Sequence, residues 1–379
     1  MKKIILAALV FVMIFAFTVT AYAQGFEANA KAYILIDAGS GDVMAEKNAD
    51  EQLPCASVAK VMTILLLLEA EESGRLSLSD TATVSDYAAS MGGTQAFLDA
   101  NSTHKVEDLL KAVIVCSAND AAVTLAEKTA GSEAAFVEMM NKKAGALGIG
   151  ATFVNATGLG DEQKISARDA ATVCRELVKY SLFYKWSSIW MDNYSHPDGR
   201  KTEMVNQNKL VRFYEGSDGV ATGSSGAAGY CIAATVKRSG GRFIYIELGA
   251  PNSQTRFDDA KAAFDYAFAG FTAKTLVTEG QKLGSDLAIA GGTEPFIDVY
   301  AGQGFSTLIE KGKEATLEKE LVLLENITAP IEKGQVLGYL RILLDGAEIG
   351  RVDAVAADSV DERNFANAFK RVLTWWLFT

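Results

Sequence analysis

The chain has 379 residues, 49% of them hydrophobic, enough for two ordinary domains and a sizeable core. With Gly 33 and Pro 5 it belongs to no fibrous or low-complexity class. A formal net charge of -11 argues against a nucleic-acid partner, which would need a basic surface. At the N-terminus Lys2 and Lys3 precede an almost unbroken apolar run over residues 4–17, and Ala21-Tyr22-Ala23 supplies small residues for cleavage before Gln24. This is the pattern of a secretory signal over residues 1–23, so the chain is expected to be exported. The apolar run is shorter than the ~20 residues of a membrane span, which argues against an uncleaved anchor.

Residues 31–36 and 43–47 read as strands around the turn-rich Asp37-Ala38-Gly39-Ser40-Gly41-Asp42, a hairpin. From Ser57 to about Glu72 the pattern becomes helical and apolar nearly all round, which places that helix inside a domain. Further helices are expected over 106–116, 121–129, 133–147 and 167–180. Strand character returns at 230–237 and 242–248, flanking Ser239-Gly240-Gly241, and 256–271 closes the region as an amphipathic helix. Strands at both ends with helices between predict an α+β domain, one antiparallel sheet covered by helices. After Phe271, short strand-like runs at 296–300, 320–324 and 335–344 alternate with Gly-containing turns to about Val355, predicting a small all-β sandwich. In the last residues Phe365, Phe369, Val372, Leu373 and Trp376 fall on one face at helical spacing, with Lys370 and Arg371 beside it. Such a helix suits a bilayer interface, the alternative being a helix docked on its own protein.

Cys55, Cys116, Cys174 and Cys231 are widely spaced in apolar sequence. They could form two disulfides in an exported chain but read more simply as small buried hydrophobes. No CxxC pair exists, so neither zinc nor a redox dithiol is expected.

The chemistry lies in Ser57-Val58-Ala59-Lys60. Three residues apart on a helix, the two side chains share a face, and a lysine whose pKa is lowered by burial can take the serine proton. Taken alone, the motif would equally describe a serine cap beside a solvated lysine. Ser117-Ala118-Asn119 interrupts two helices and can present a hydroxyl and an amide in one direction, although a helix cap would account for it too. The two histidines, His104 and His196, are expected at the surface and suit no Ser-His-Asp triad. A serine enzyme built from this chain therefore needs another base, and Lys60 fits.

Pro54-Cys55-Ala56-Ser57-Val58-Ala59-Lys60-Val61-Met62-Thr63 resembles the nucleophile segment of the D-alanyl-D-alanine carboxypeptidases, the low-molecular-mass penicillin-binding proteins. Ser117-Ala118-Asn119-Asp120-Ala121-Ala122 is similar to their second motif. Stretches 141–159, 206–223 and 249–268 agree as well, and the resemblance runs from about Asn29 to the C-terminus. It implies a transpeptidase-like domain over residues 24–272, a β-sandwich domain over 273–358 and a membrane-anchor helix over 359–379. It also implies hydrolysis of the terminal D-Ala-D-Ala bond of peptidoglycan stem peptides, with β-lactams as inhibitors and no metal or organic cofactor. By the same resemblance Ser57 is the acylated nucleophile, Lys60 its base, Ser117 the proton relay to the leaving D-alanine, and Asn119 orients the peptide. Backbone N–H groups of Ser57 and of the strand after Thr222-Gly223 would form the oxyanion hole, and Arg256 would hold the terminal carboxylate.

One position departs from that family. Its third motif is Lys-Thr-Gly, whereas this chain has Ala221-Thr222-Gly223. The missing cation leaves a catalytically impaired binding relative as the alternative reading. A β-lactamase, with Glu162 as the candidate base, is a further alternative that no surrounding motif supports.

Overall fold

The computed structural model describes residues 25–239, 241–365 and 369; the expected signal segment, and the anchor helix beyond Phe365 apart from Phe369, lie outside them. Among the principal elements, β1 (Ala32–Asp37) and β2 (Val43–Lys47) form the expected hairpin. The helices are α1 (Lys60–Glu72), α2 (Val106–Cys116), α3 (Asn119–Ala130), α4 (Glu133–Ala146) and α5 (Ala167–Leu177). Then come β3 (Ser217–Ser225), β4 (Gly229–Arg238), β5 (Gly241–Ala250) and the long α6 (Ser253–Gly270). The strands make one antiparallel sheet in the order β2-β1-β5-β4-β3, so the chain's first strand pairs with the late strand β5.

Strand alternation gives this sheet two apolar faces. Ala32, Ile34 and Ile36 of β1 join Ile244 and Ile246 of β5 and the inner sides of α1, α2 and α5 in one core. Tyr33 and Leu35 point the other way and pack with Phe243, Tyr245, Phe257 and Phe264 beneath α6. Helix α1 is the centre of the larger core: every residue from Lys60 to Leu68 is buried, as its all-round apolar sequence requires. The lysine that opens this helix is buried with the rest.

The C-terminal unit is all-β. Strands β6 (Phe271–Val277) and β9 (Phe305–Glu310) pair with each other. A five-stranded sheet takes β7 (Lys282–Ala288), β8 (Phe296–Ala301), β10 (Leu317–Leu323), β11 (Val336–Leu344) and β12 (Ala347–Ala356) in the order β7-β8-β12-β11-β10. Val360 and Glu362 still bridge to Ile331 and Gly292, so the pairing runs on past Val355. None of the described helices is long and apolar enough to cross a membrane. Phe365 and Phe369 are exposed, with their rings stacked 6.3 Å apart.

All four cysteines are buried and free. The histidines differ from expectation: both are buried. His104 shares hydrogen bonds with Tyr194 (Nδ1 to Oη, 2.9 Å) and Ser102 (Nε2 to Oγ, 2.7 Å), and His196 Nε2 lies 2.8 Å from Thr202 Oγ1. The polar run around His196 is the turn of a hairpin, Met191–Ser195 with Lys201–Val205, and folding that hairpin against α2 carries the ring inward.

Candidate active site

Ser57 sits on a turn, not at a helix cap. Residues Ala56–Ala59 form one turn of 3-10 helix leading directly into α1, with Ala56 at φ 46° and Ser57 half-buried. Two glycines make room for that turn. A Cβ on Gly158, itself at φ 77°, would overlap the Ala56 carbonyl oxygen, and one on Gly223 would lie 2.5 Å from Ser57 N. The backbone of β3 therefore runs directly against the Ser57 N–H, an approach only glycine permits.

Lys60, only 1% exposed, donates from Nζ to the Thr157 carbonyl at 2.7 Å and reaches Ser57 Oγ at 3.1 Å. Burial pushes its pKa down to about 7, against smaller opposing pulls from its surroundings that include the buried Asp120. Near neutral pH this amine is thus available to accept a proton. The Thr157 carbonyl is aimed by Asn155, whose Oδ1 accepts from the N–H groups of Thr157 and Gly158 and from Thr157 Oγ1. Thr63 Oγ1 secures the same segment through the Ala156 carbonyl. Nothing in the SxxK spacing announces Asn155 and Thr157; the one signal was the agreement of stretch 141–159 with family sequence.

Ser117 closes α2 in the left-handed conformation, φ 61°. Its Oγ is buried without a protein partner among the described residues. Asn119 begins α3, donates from Nδ2 to Gly92 O (2.7 Å) and leaves Oδ1 unpartnered. Asp120, also buried, accepts from the N–H groups of Ala96 and Leu98 and thereby fastens the loop that Asn119 touches. Ser117 and Asn119 thus both carry an orphaned buried atom, which marks places that a substrate group can satisfy.

Ala221 and Thr222 lie buried on β3, opposite Ala233 and Ile232 of β4. Lys60, Ser117, Ala221 and Thr222 line one small cavity. Arg256 is in the first turn of α6, where Nη1 donates to the carbonyls of Gly223 (2.9 Å) and Cys231 (3.2 Å). It is buried and braces β3 from within. Glu162 is exposed and makes no hydrogen bond to Ser57 or Lys60, and neither histidine bonds to the cluster.

A half-buried serine with a buried lysine at hydrogen-bond distance, and a second serine on the cavity that this lysine lines, are the parts of a serine acyl-transfer site. Residues 18–252 match the D-alanyl-D-alanine carboxypeptidase family, and residues 271–362 match the penicillin-binding protein 5 C-terminal domain. D-alanyl-D-alanine carboxypeptidase DacF of Bacillus subtilis (strain 168) is 35% identical over 386 residues, covering 99% of each chain. The crystal structure of penicillin-binding protein 5 from Haemophilus influenzae superposes with a TM-score of 0.81 at 29% identity, over 89% of this chain and 98% of that one. Penicillin-binding protein D2 from Listeria monocytogenes, in its ampicillin-bound form, covers 64% of this chain and 98% of its own, with a TM-score of 0.54 at 31% identity. The chain belongs to the D-alanyl-D-alanine carboxypeptidase family of serine hydrolases and also carries the penicillin-binding protein 5 C-terminal domain.

Proposed function

We propose that this chain removes the terminal D-alanine of peptidoglycan stem peptides through an acyl-Ser57 intermediate. The observation that carries the reading is the buried Lys60 amine at 3.1 Å from Ser57 Oγ. Ser57 Oγ attacks the carbonyl carbon of the penultimate D-alanine while its proton passes to Lys60 Nζ. The charge that develops on the carbonyl oxygen is met by the N–H of Ser57 and an N–H of β3 just after Gly223. The proton then travels by way of Ser117 Oγ to the leaving nitrogen as the C–N bond breaks. Water hydrolyses the ester with Lys60 again as base, and the serine regains its proton. Asn119, Thr222 and Gly223 hold the peptide, with Arg256 fixing the strand and its carboxylate-facing side. β-Lactams react at the same serine, a reading supported by the ampicillin-bound Listeria relative.

The test is D-alanine release from a peptide ending in D-Ala-D-Ala. Ser57→Ala should abolish it in a chain that still folds, and undiminished release would remove Ser57 from its role.

The chain acts outside the cytoplasm, exported by its N-terminal segment and held at the outer face of the membrane by its last residues. Exposed Phe365 and Phe369 begin the apolar stripe that the sequence continues to Trp376. A chain ending at Arg363 should stay folded, leave anionic vesicles and acylate unchanged. Equal vesicle sedimentation of the shortened chain would show that the tail is not the anchor.

A further inference from the structure

Strand β3 is an edge of the main sheet, so an extended peptide can pair along it. By strand alternation Ala221, Gly223 and Ser225 point to one side, and each meets a different part of the site. Ala221 lines the cavity shared with Lys60 and Ser117, and Gly223 lies against Ser57 N. Ser225, the last residue of the strand, donates from Oγ to Asp161 Oδ1 at 2.8 Å. The Ala228 N–H occupies the same hydroxyl oxygen, which leaves the Ser225 proton for Asp161. Asp161 lies three residues beyond Gly158, on the loop whose Thr157 carbonyl holds Lys60. Its carboxylate is therefore fastened at the rim of the site. It is exposed, and among the described residues no cation pairs with it.

The leaving group sets the direction of the substrate. Ser117 passes its proton to the leaving nitrogen, so the departing D-alanine lies toward Ala221. The acyl part then runs the other way, from Gly223 towards Ser225. Those two strand positions are about 7 Å apart, the length an extended peptide also covers in two residues. The stem-peptide residue that precedes the D-Ala-D-Ala pair comes level with Ser225, beside the Asp161 carboxylate.

We infer that Asp161 is a specificity residue: it selects stem peptides whose residue before D-Ala-D-Ala carries a free side-chain amine, by pairing its carboxylate with that ammonium. The inference rests on the proposed release of D-alanine through acyl-Ser57. No covalent bond to Asp161 forms or breaks. The neighbouring Glu162 is not equivalent, because its carboxylate lies back over Gly160, where an added Cβ would be 2.5 Å from Oε2.

The test measures kcat/KM for D-alanine release by the full chain from Nα-acetylated tripeptides X-D-Ala-D-Ala, with X lysine, Nε-acetyl-lysine or norleucine. Lysine should lead both neutral residues by about 3- to 10-fold, between an exposed ion pair and a charge-assisted hydrogen bond. The lead should shrink as salt is raised. Asp161→Asn keeps an acceptor for Ser225 and removes the charge, so it should bring the lysine peptide down to the norleucine rate. Glu162→Gln should retain the lead. Equal rates for lysine and norleucine in the wild type, or a lead that survives Asp161→Asn, would overturn the specificity role and leave the proposed function standing. No D-alanine release from any of the peptides would overturn the proposed function and the inference with it.

Discussion

Replacing Lys60 with methionine should lower the rate of Ser57 acylation by penicillin about 100- to 10,000-fold, the range for loss of a positioned general base. Methionine has a similar length and no charge to desolvate, so the core around α1 should accept it. The Thr157 carbonyl loses its donor, at a cost of about 1–3 kcal/mol, which a cooperative melt will register without loss of fold. The wild-type pH profile carries the same prediction. In the proposed mechanism the base is the free amine of Lys60, whose pKa burial pushes down to about 7. Acylation should therefore rise with pH through about 7 and level off above it; a profile flat across that range would mean that Lys60 is not the base. Arginine at position 60 should fail like methionine, because a guanidinium stays protonated.

The second large effect belongs to Gly158→Ala. The position is at φ 77°, and the added methyl would overlap the Ala56 carbonyl, backbone that cannot swing aside. The turn holding Ser57 must shift, and a displacement of about 1 Å at reacting atoms can cost ~100-fold in rate. Gly74→Ala provides the control: φ is 72°, but no atom lies within 4 Å of the added carbon. It should lose only the conformational term, about 1–2 kcal/mol, with acylation untouched. Thermal melts and acylation rates of the two variants separate strain from displacement. Equal acylation by both would show that Gly158 does not shape the nucleophile turn.

Much of this fold is legible because its signals are local. The apolar stretch opening at Lys60 had to be interior, and the hairpin of β1 and β2 is written in six turn-forming residues. The SxxK spacing also gave the Ser57–Lys60 pair directly, since residues three apart near a helix start meet. What surrounds that pair is not local. The Thr157 carbonyl lies 97 residues from Lys60, and the Gly92 carbonyl 27 residues from Asn119. Strand β3 carries Ser-Asp-Gly and Thr-Gly-Ser-Ser, composition with little strand preference, and is extended because β4 pairs along its length. His196 stands among Ser, Pro, Asp and Gly and reads as solvated, yet a hairpin fold buries it. The part Arg256 plays in the fold is equally non-local: its Nη1 donates to the carbonyls of Gly223 and Cys231, 33 and 25 residues away. Ala221 is visible in the sequence as a departure, but the cavity it shares with Lys60 and the orphaned Ser117 oxygen is assembled only by folding.

The most direct measurement is the intact mass of the chain after exposure to a labelled penicillin, followed by peptide mapping, with Ser57→Ala in parallel. A single acyl adduct on Ser57, absent from Ser57→Ala, is the result expected of a nucleophile activated by Lys60. No adduct at saturating drug, or an adduct that maps to another residue or persists in Ser57→Ala, would contradict it.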